Sequence, residues 1–202
     1  RANRAPPMLD RVSDPFVPAS EAADFLRSRF DIDRIDLALV LGSGWSSGAD
    51  LLGESVGSIE LGAVPGFSRP VVSGHGGELK VIRTPAGKVA ATFTGRTHFY
   101  EGRGVEPVVH GVRTAAAWGA STLVLTNGCG GLNPAWAPGT VVLIADHINL
   151  TGATPLRGAT FIDMTEAYSR RLRELAHRVE PSLPEGVYVQ FQGPQYETPA
   201  EV

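Results

Sequence analysis

Short apolar segments that alternate with helical patterns constrain the fold of this chain more than any other feature of its sequence. Five of these segments have the length of a strand, and the last three of them are rich in β-branched residues. The apolar run at residues 35–41 has a length suited to a strand that is buried on both faces. The alternation of these segments with helices predicts an α/β fold, here a single domain with a mixed, largely buried β-sheet flanked by helices. The five segments are residues 35–41, 88–94, 121–126, 140–145 and 187–191.

A hairpin and three helices complete the predicted order of elements. Pro85-Ala86-Gly87 separates residues 78–83 from residues 88–94, a pattern typical of two antiparallel strands. Ser20 is predicted to cap a helix over residues 21–30. The other two helices are predicted over residues 105–118 and 169–180.

The domain boundaries follow from the two ends of the sequence. Residues 1–19 are rich in proline and arginine and predict an N-terminal surface arm, which leaves residues 20–202 as the domain. Thr198-Pro199-Ala200-Glu201 matches the capping box, with a cap residue, a proline in the first turn and a glutamate three residues after the cap. This pattern predicts the start of a helix, so we expect the domain to continue past Val202.

Composition and charge exclude several classes of function. Lys and Arg number 18 against 21 Asp and Glu, for a formal net charge of −3, and no basic block interrupts the chain. A nucleic-acid partner is therefore not expected, although a single small anion can still be bound. No apolar run reaches the roughly 20 residues of a membrane-spanning helix, so no membrane partner is expected. A single cysteine, Cys129, excludes an intrachain disulfide framework. The first twenty residues do not match a signal peptide, so a reducing, cytoplasmic setting is expected.

No metal site is predicted. The five histidines share no ligand spacing, and no H-E-x-x-H motif is present. They are His75, His98, His110, His147 and His177.

Unusual polar residues and glycines follow directly after the predicted strands. In open α/β sheets, ligands bind at the carboxyl ends of strands, so the loops after five strands are expected to meet at one small-molecule cleft. These loops are Gly42-Ser43-Gly44, Gly95-Arg96-Thr97-His98-Phe99-Tyr100-Glu101-Gly102, Asn127-Gly128-Cys129-Gly130-Gly131, Asp146-His147-Ile148-Asn149 and Gln192-Gly193-Pro194-Gln195-Tyr196-Glu197.

Two chemistries are indicated within these loops. Arg96 and His98 stand two residues apart, so an extended loop places a guanidinium and an imidazole on one face, where both can bind a phosphate. Tyr196 beside Glu197 combines a ring that can stack on a planar heterocycle with a carboxylate that can accept its N–H groups.

Each feature also has a purely structural interpretation, and the residues alone leave these open. Gly42-Ser43-Gly44 also fits an ordinary tight turn, and it is neither a dinucleotide fingerprint nor a Walker A loop. His98 also fits a buried structural histidine, and Glu197 also fits an acid favoured by the dipole of a following helix. Gly44 to Gly48 matches the G-x-S-x-G nucleophile elbow by letter, but it does not lie directly after the strand as the elbow requires.

Five ordered motifs resemble, in order and spacing, those of the trimeric, 6-oxopurine-specific purine nucleoside phosphorylases. The resemblance covers nearly all of the chain from residue 20 onward. The motifs are Leu41-Gly42-Ser43-Gly44, Gly74-His75-Gly76-Gly77-Glu78, Gly95 to Gly102, Thr126-Asn127-Gly128-Cys129-Gly130-Gly131-Leu132 and Gly193-Pro194-Gln195-Tyr196-Glu197-Thr198.

The resemblance implies phosphorolysis of inosine and guanosine, or their deoxy forms, to the free base and (deoxy)ribose 1-phosphate in purine salvage. It implies no cofactor, with inorganic phosphate as a co-substrate, and a homotrimer. The implied catalytic residues are Arg96, His98 and Glu197. The implied phosphate ligands are Ser43, His75, Arg96, His98 and the Gly128 backbone. The implied ribose contacts are Tyr100 and Asn127, the implied purine contacts are Tyr196 and Glu197, and Phe161 is the candidate for an aromatic side chain lent to the neighbouring subunit's site.

Two alternatives remain open at this stage. Methylthioadenosine phosphorylase shares the phosphate loops but takes 6-aminopurines, which Glu197 disfavours. A non-catalytic nucleoside-binding protein is the second alternative, and it would gain weight if Val202 were a true terminus, because the family's later segments supply a further phosphate-binding serine and a base-binding asparagine.

Overall fold

The computed structural model describes residues 14–68 and 77–202, and these residues form two compact units. The first unit contains the described residues up to Arg96 together with Val109–Asn127. The second contains Thr97–Val108 and Gly128–Val202. Most of the predicted arm lies outside the described residues, so the division into an arm and one domain stays a prediction.

The first unit is built on a mixed five-stranded sheet, as the alternating pattern predicts. Strand order is β2-β3-β4-β1-β5. β1 pairs in parallel with both β4 and β5, whereas β3 is antiparallel to β2 and β4. The predicted hairpin is confirmed. The strands are β1 (Leu37–Val40), β2 (Glu54–Glu60), β3 (Glu78–Arg83), β4 (Val89–Phe93) and β5 (Thr122–Leu125).

Burial identifies β4 as the centre of the first unit's core. All five residues of β4 are buried, and so are Ala38 of the neighbouring strand β1 and Val81 of the neighbouring strand β3. The chain also forms two helices before β5, which are α1 (Val17–Phe30) and α2 (Glu106–Ala117). α1 buries Ala22, Ala23 and Leu26 in the same core cluster as β4.

The predicted start of α1 is wrong. Ser20 does not cap the helix, which begins four residues earlier at Val17 with Pro18 in its first turn. Proline is tolerated there because the first N–H groups of a helix have no partner inside it. The hydroxyl of Ser20 instead donates to the carbonyl of Phe16, 3.2 Å away, as a residue already inside a helix can do.

Strand β2 was not predicted. Its sequence, Glu-Ser-Val-Gly-Ser-Ile-Glu, contains two apolar side chains, Val56 and Ile59, which are too few to form an apolar run. β2 lies at the edge of the sheet, and its pairing with β3 is interrupted by an irregularity between Ser55 and Gly57. Mostly exposed edge strands of this kind have little hydrophobic signal.

The second unit contains a parallel strand pair and one helix. These are β6 (Leu143–Asn149), β7 (Glu185–Gln190) and α3 (Arg170–Val179). Ser169 caps α3 by accepting the N–H of Leu172. Arg173 and His177 of α3 both pair with the carboxylate of Glu185 at the start of β7.

The predicted strand at residues 140–145 is displaced by several residues. β6 begins at Leu143 and continues to Asn149, so Asp146-His147-Ile148-Asn149 lies within a strand and not in a loop after it. The register shifts between Ile144 and Asp146, a bulge that accommodates the polar residues. The carboxylate of Asp146 accepts the N–H of His147, and the imidazole of His147 contacts Tyr168.

Within the described ranges, none of the helices has the length and apolar character needed to cross a membrane.

Trp118 offers a test of the first unit's core. Its side chain is fully buried, its ring lies 6.2 Å from that of Phe30, and its indole N–H donates to the carbonyl of Ile32 at 2.9 Å. We expect Trp118→Ala to lower the free energy of unfolding by about 3–5 kcal/mol through the cavity that it leaves. Trp118→Phe should cost about 1–3 kcal/mol, because the carbonyl of Ile32 loses its buried donor.

Urea denaturation followed by circular dichroism measures both losses. Leu51→Ala is the control, since Leu51 is 89% exposed and its truncation should change stability by no more than about 0.5 kcal/mol. If the free energy of unfolding fell by the same small amount in all three variants, this assignment of the core would be contradicted.

Candidate active-site residues

Parallel pairing brings three of the predicted loops to one edge of the first unit's sheet. The register pairs Leu37 of β1 with Ala90 of β4 and with Thr122 of β5, so the three strands run side by side in the same direction. Their carboxyl ends therefore lie together, and the chain leaves them at Leu41, Thr94 and Thr126. The topology therefore brings the starts of these three loops to one edge of the sheet, and the cleft itself stays a prediction.

Gly42 is packed tightly among the groups that leave this edge. A methyl group on Gly42 would lie 2.5 Å from the carbonyl oxygen of Thr126, 2.9 Å from the Cα of Asn127 and 2.9 Å from Nη1 of Arg96. The N–H of Gly42 donates to the hydroxyl of Thr126 at 2.9 Å. The Arg96 guanidinium thus lies against the backbone of the first loop, and only glycine fits between them.

A second close contact between glycines precedes Arg96. The Cβ that an alanine at Gly77 would carry would lie 2.4 Å from the Cα of Gly95, and an alanine at Gly95 would meet Gly77 in the same way. The backbone of β3's first residues is thereby pressed against the exit of β4. His75, the predicted phosphate ligand two residues before Gly77, lies outside the described residues.

The charge at this edge is positive and is not neutralised within the part of the chain that the structure describes. Arg96 is half-buried, and no described carboxylate forms a salt bridge with it. On the loop after β1, Ser43 is exposed, and the next residue, Gly44, has a φ of 83°. A guanidinium, a hydroxyl and loop N–H groups are donors suited to an oxyanion.

Asn127, the first residue of the third loop, has a polar atom that lacks a partner among the described groups. Its Oδ1 is buried without a hydrogen bond to any described group. A buried acceptor of this kind is costly unless a donor reaches it.

In the second unit, His98 and Tyr100 form a stacked pair. Their ring centroids are 4.9 Å apart with the planes inclined by 15°. Residues Phe99–Glu101 form one 3₁₀ turn, which returns Tyr100 over the imidazole, and Gly102 ends the turn with a φ of 73°. Both side chains are accessible to a ligand, since His98 is partly exposed and Tyr100 is 52% exposed.

Glu101 is a functional candidate to which the sequence analysis gave no role. Its Oε1 accepts the N–H of His98 at 2.7 Å and lies 3.5 Å from Nδ1 of the same residue. Its other oxygen is 3.7 Å from Nε of Arg103. Glu101 therefore holds the Nδ1 edge of the imidazole and leaves Nε2 on the opposite side of the ring. The spacing of three residues from His98, as in a capping box, was the available signal.

Tyr100 also lies against the loop that carries the predicted purine contacts. A Cβ on Gly193 would be 3.7 Å from the Cβ and Cδ1 of Tyr100, and Gly193 has a φ of 69°. A few residues further on, Glu197 borders a cavity of about 170 Å³. The cavity is lined by Leu150, Phe191, Gln192, Gln195, Tyr196, Glu197 and Glu201.

The remaining predicted residues of the second unit are all exposed. Tyr196 is 92% exposed and Phe161 is 93% exposed, so neither ring is covered by the described chain. Gly128 and Cys129 lie on the exposed loop after β5. No group of three or more His, Cys, Asp or Glu residues within 14–68 and 77–202 is arranged to hold a metal ion.

Comparison with known proteins identifies relatives over almost the whole chain. The family model described as the phosphorylase superfamily matches residues 36–202. The purine nucleoside phosphorylase of Cellulomonas sp is 58% identical over 201 residues, which are 98% of this chain and 71% of that protein. The purine nucleoside phosphorylase of Mycobacterium tuberculosis is 46% identical over 195 residues, 96% of this chain and 72% of that protein.

Solved structures of purine nucleoside phosphorylases are also similar to this chain. The crystal structure of isoform 2 of purine nucleoside phosphorylase from Schistosoma mansoni, in complex with cytosine and ribose-1-phosphate, superposes with a TM-score of 0.80 at 30% identity. The match covers 91% of this chain and 69% of that one. The Schistosoma mansoni enzyme in complex with inosine gives a TM-score of 0.79 at 31% identity, with the same coverage.

Gly42→Ala tests the anion-binding edge of the first unit. Because the new methyl group would clash with Arg96 and with the backbone of residues 126–127, we expect the affinity for inorganic phosphate to fall about tenfold or more, a loss of roughly 1.4 kcal/mol. Isothermal titration calorimetry with phosphate measures it. Gly48→Ala is the matched control, since no atom lies within 4 Å of its Cβ position. Equal phosphate affinity in the two variants would contradict the role of this edge.

Proposed function

The chain belongs to the purine nucleoside phosphorylases of the phosphorylase superfamily, and we propose that it acts on 6-oxopurine ribonucleosides and deoxyribonucleosides. In this reaction an oxygen of inorganic phosphate forms a bond to C1′ of the sugar while the bond from C1′ to the purine nitrogen breaks. The purine leaves with the bonding electron pair and takes up a proton. The products are the free base and (deoxy)ribose 1-phosphate, as purine salvage requires.

The observation that carries the proposal is the Arg96 guanidinium at the carboxyl edge of three parallel strands, without a carboxylate partner among the described residues. We assign Arg96, the hydroxyl of Ser43 and the backbone N–H of Gly128 as phosphate ligands. His75 is assigned with them from the family pattern alone. A bidentate guanidinium suits phosphate because its two parallel N–H groups match two oxygens.

His98 is assigned as a further phosphate ligand and as a catalytic residue. With its Nδ1 edge facing Glu101, His98 presents Nε2 to a phosphate oxygen. Removing the carboxylate would free the ring to turn away from this orientation. Glu101 is therefore proposed as a positioning residue for His98.

Tyr100 and Asn127 are assigned to the ribose. As the glycosidic bond breaks, positive charge of the oxocarbenium type develops on the sugar, and the phosphate anion stabilises it. The stacked position of Tyr100 over His98 places a flat surface next to a phosphate ligand, which suits contact with a sugar. The unpartnered Oδ1 of Asn127 is an acceptor that a donor from the substrate can satisfy.

Glu197 is assigned as the residue that selects the base, with Tyr196 flanking the ring. Hypoxanthine and guanine present an N1–H that a carboxylate accepts, whereas adenine presents a bare N1 that it repels. An unpaired carboxylate in a closed site costs several kcal/mol, about 10⁴-fold or more in selectivity. The position of Glu197 at the rim of a cavity supports this role.

The assembly is proposed to be a cytoplasmic homotrimer without a cofactor, in which inorganic phosphate is a co-substrate. Phe161 is proposed to enter the site of the neighbouring subunit, and its 93% exposure supports this role because nothing in the described chain covers the ring. Large aromatic side chains left this open are typical of interaction surfaces.

The comparisons favour this function over both alternatives. The relatives quoted above are purine nucleoside phosphorylases, so they support neither the methylthioadenosine phosphorylase nor the non-catalytic interpretation. Cleavage of inosine, adenosine and methylthioadenosine, followed by ultraviolet absorbance with and without phosphate, tests the proposal directly. Phosphate-dependent loss of inosine alone is expected, and cleavage of methylthioadenosine in preference to inosine would overturn the assignment.

Glu197→Gln tests the selection of the base. We expect kcat/KM for inosine to fall about 100-fold or more, with a much smaller change for adenosine, because the amide can donate to the bare N1 of adenine. Glu201→Gln is the matched control: Glu201 borders the same cavity, but its carboxylate accepts the N–H of Thr198 at 2.7 Å. Unchanged selectivity in Glu197→Gln, or equal losses in both variants, would refute the role of Glu197.

A further inference from the structure

The segment of residues 150–168 joins β6 to α3 without any helix or strand, yet its beginning is fixed. The side chain of Asn149, the last residue of β6, accepts the N–H of Thr151 at 3.0 Å and its hydroxyl at 2.7 Å. Its Nδ2 donates to the carbonyl of Ala153 at 2.9 Å. One asparagine therefore closes the first turn of the segment.

The end of the segment returns to the same strand. The hydroxyl of Tyr168 lies 3.1 Å from Nδ1 of His147, and the two rings meet edge to face with centroids 5.7 Å apart. Burial raises the pKa of the Tyr168 phenol and the Asp146 carboxylate adds to that rise, so the phenol keeps its proton at neutral pH and can donate to His147. His147 and Asn149 stand two residues apart in β6, so both ends of the segment are tied to one strand.

An ion pair fixes the middle of the segment. Nη2 and Nε of Arg157 lie 2.9 and 3.2 Å from Oε1 of Glu106. The carbonyl of Arg157 also accepts the hydroxyl of Thr160 at 2.7 Å. Glu106 is in the first turn of α2, shortly after the loop that carries His98 and Tyr100. Arg157 thus links the segment to the part of the chain that presents two proposed site residues.

Between Arg157 and Tyr168 the segment displays uncovered apolar side chains. Phe161 is 93% exposed, Ile162 is 55% exposed and Met164 is 54% exposed. Ordering a chain of this length has an entropic cost, and leaving a phenylalanine in water forgoes the stabilisation that its burial would provide. Because contacts fix the segment at three points, its exposed apolar residues at 161–164 are held in a defined position.

We propose that Arg157 and Tyr168 are positioning residues that hold residues 150–168 in the shape from which Phe161 reaches the nucleoside bound to a second copy of the chain. This inference rests on the proposed function, in which Phe161 belongs to the neighbouring subunit's site. Neither Arg157 nor Tyr168 contacts the substrate. Both act through the backbone that carries Phe161.

The test uses the full-length enzyme in its assembled form and compares Arg157→Met and Tyr168→Phe with Phe161→Ala. Each of the three is expected to raise the KM for inosine about tenfold, while the KM for phosphate and kcat change by no more than about twofold, because contact with the nucleoside by a non-reacting group contributes to binding. Arg157→Lys keeps a cation opposite Glu106 and should recover most of the affinity. Arg171→Met, at an exposed arginine of α3, is the control and should behave as the wild type.

Double variants separate positioning from a general loss of structure. If Arg157 and Tyr168 act through Phe161, adding Arg157→Met or Tyr168→Phe to Phe161→Ala raises the KM no further. The proposal would be overturned if the rises in the inosine KM multiplied in the double variants. It would also be overturned if the KM for phosphate rose equally, or if the inosine KM were unchanged in Arg157→Met and Tyr168→Phe. If Arg157→Met does not fold, Tyr168→Phe and Arg157→Lys decide the matter.

Failure of the proposed function is distinguishable from failure of this inference. A wild-type enzyme that does not cleave inosine in the presence of phosphate would overturn both. A wild-type enzyme that does, combined with a Phe161→Ala variant of unchanged KM, would overturn the positioning role and the role of Phe161, and would leave the proposed phosphorolysis standing.

Discussion

Parallel pairing of β1 with β4 on one side and β5 on the other is the constraint on which the first unit's chemistry depends. It directs three chain exits to a single edge of the sheet, where loop backbone and the Arg96 guanidinium pack around Gly42. Had β5 paired antiparallel to β1, Asn127 would leave at the opposite edge. All five residues of β4, the central strand, are buried, so its register with its neighbours is strongly specified.

Much of this arrangement could be predicted from the sequence because it is encoded by local and strong signals. The apolar runs at residues 35–41, 88–94 and 121–126 mark the parallel strands, and the glycines that follow them mark places where backbone and side chains approach closely. Gly42 and Gly95 illustrate the second signal, since each is too close to a neighbour to carry a Cβ. The positions of Ser43, Arg96 and Asn127 at strand ends follow from these two signals together.

Other features depend on contacts that the sequence does not reveal. β2 owes its existence to pairing with β3, and it has too few apolar residues to be recognised alone. β6 continues through Asp146 and His147 because a bulge and the side chain of Tyr168, some twenty residues away, accommodate them. The role of Glu101 depends on a single turn of 3₁₀ helix that folds its carboxylate back onto His98. In these cases a partner elsewhere in the sequence, a bulge or a single turn of the backbone, and not local propensity, determines the structure.

The two proposed recognition tasks rest on different kinds of structure, and this difference has a physical reason. The proposed phosphate ligand Arg96 follows a buried strand, and its guanidinium lies against the backbone at Gly42. The proposed purine residues Tyr196 and Glu197 lie on a loop and are exposed, at the rim of a cavity of about 170 Å³. A preorganised anion site stabilises charge without reorganisation. A base site on a loop can change its selectivity by substitution of one carboxylate, without disturbing the sheet that supports the reaction.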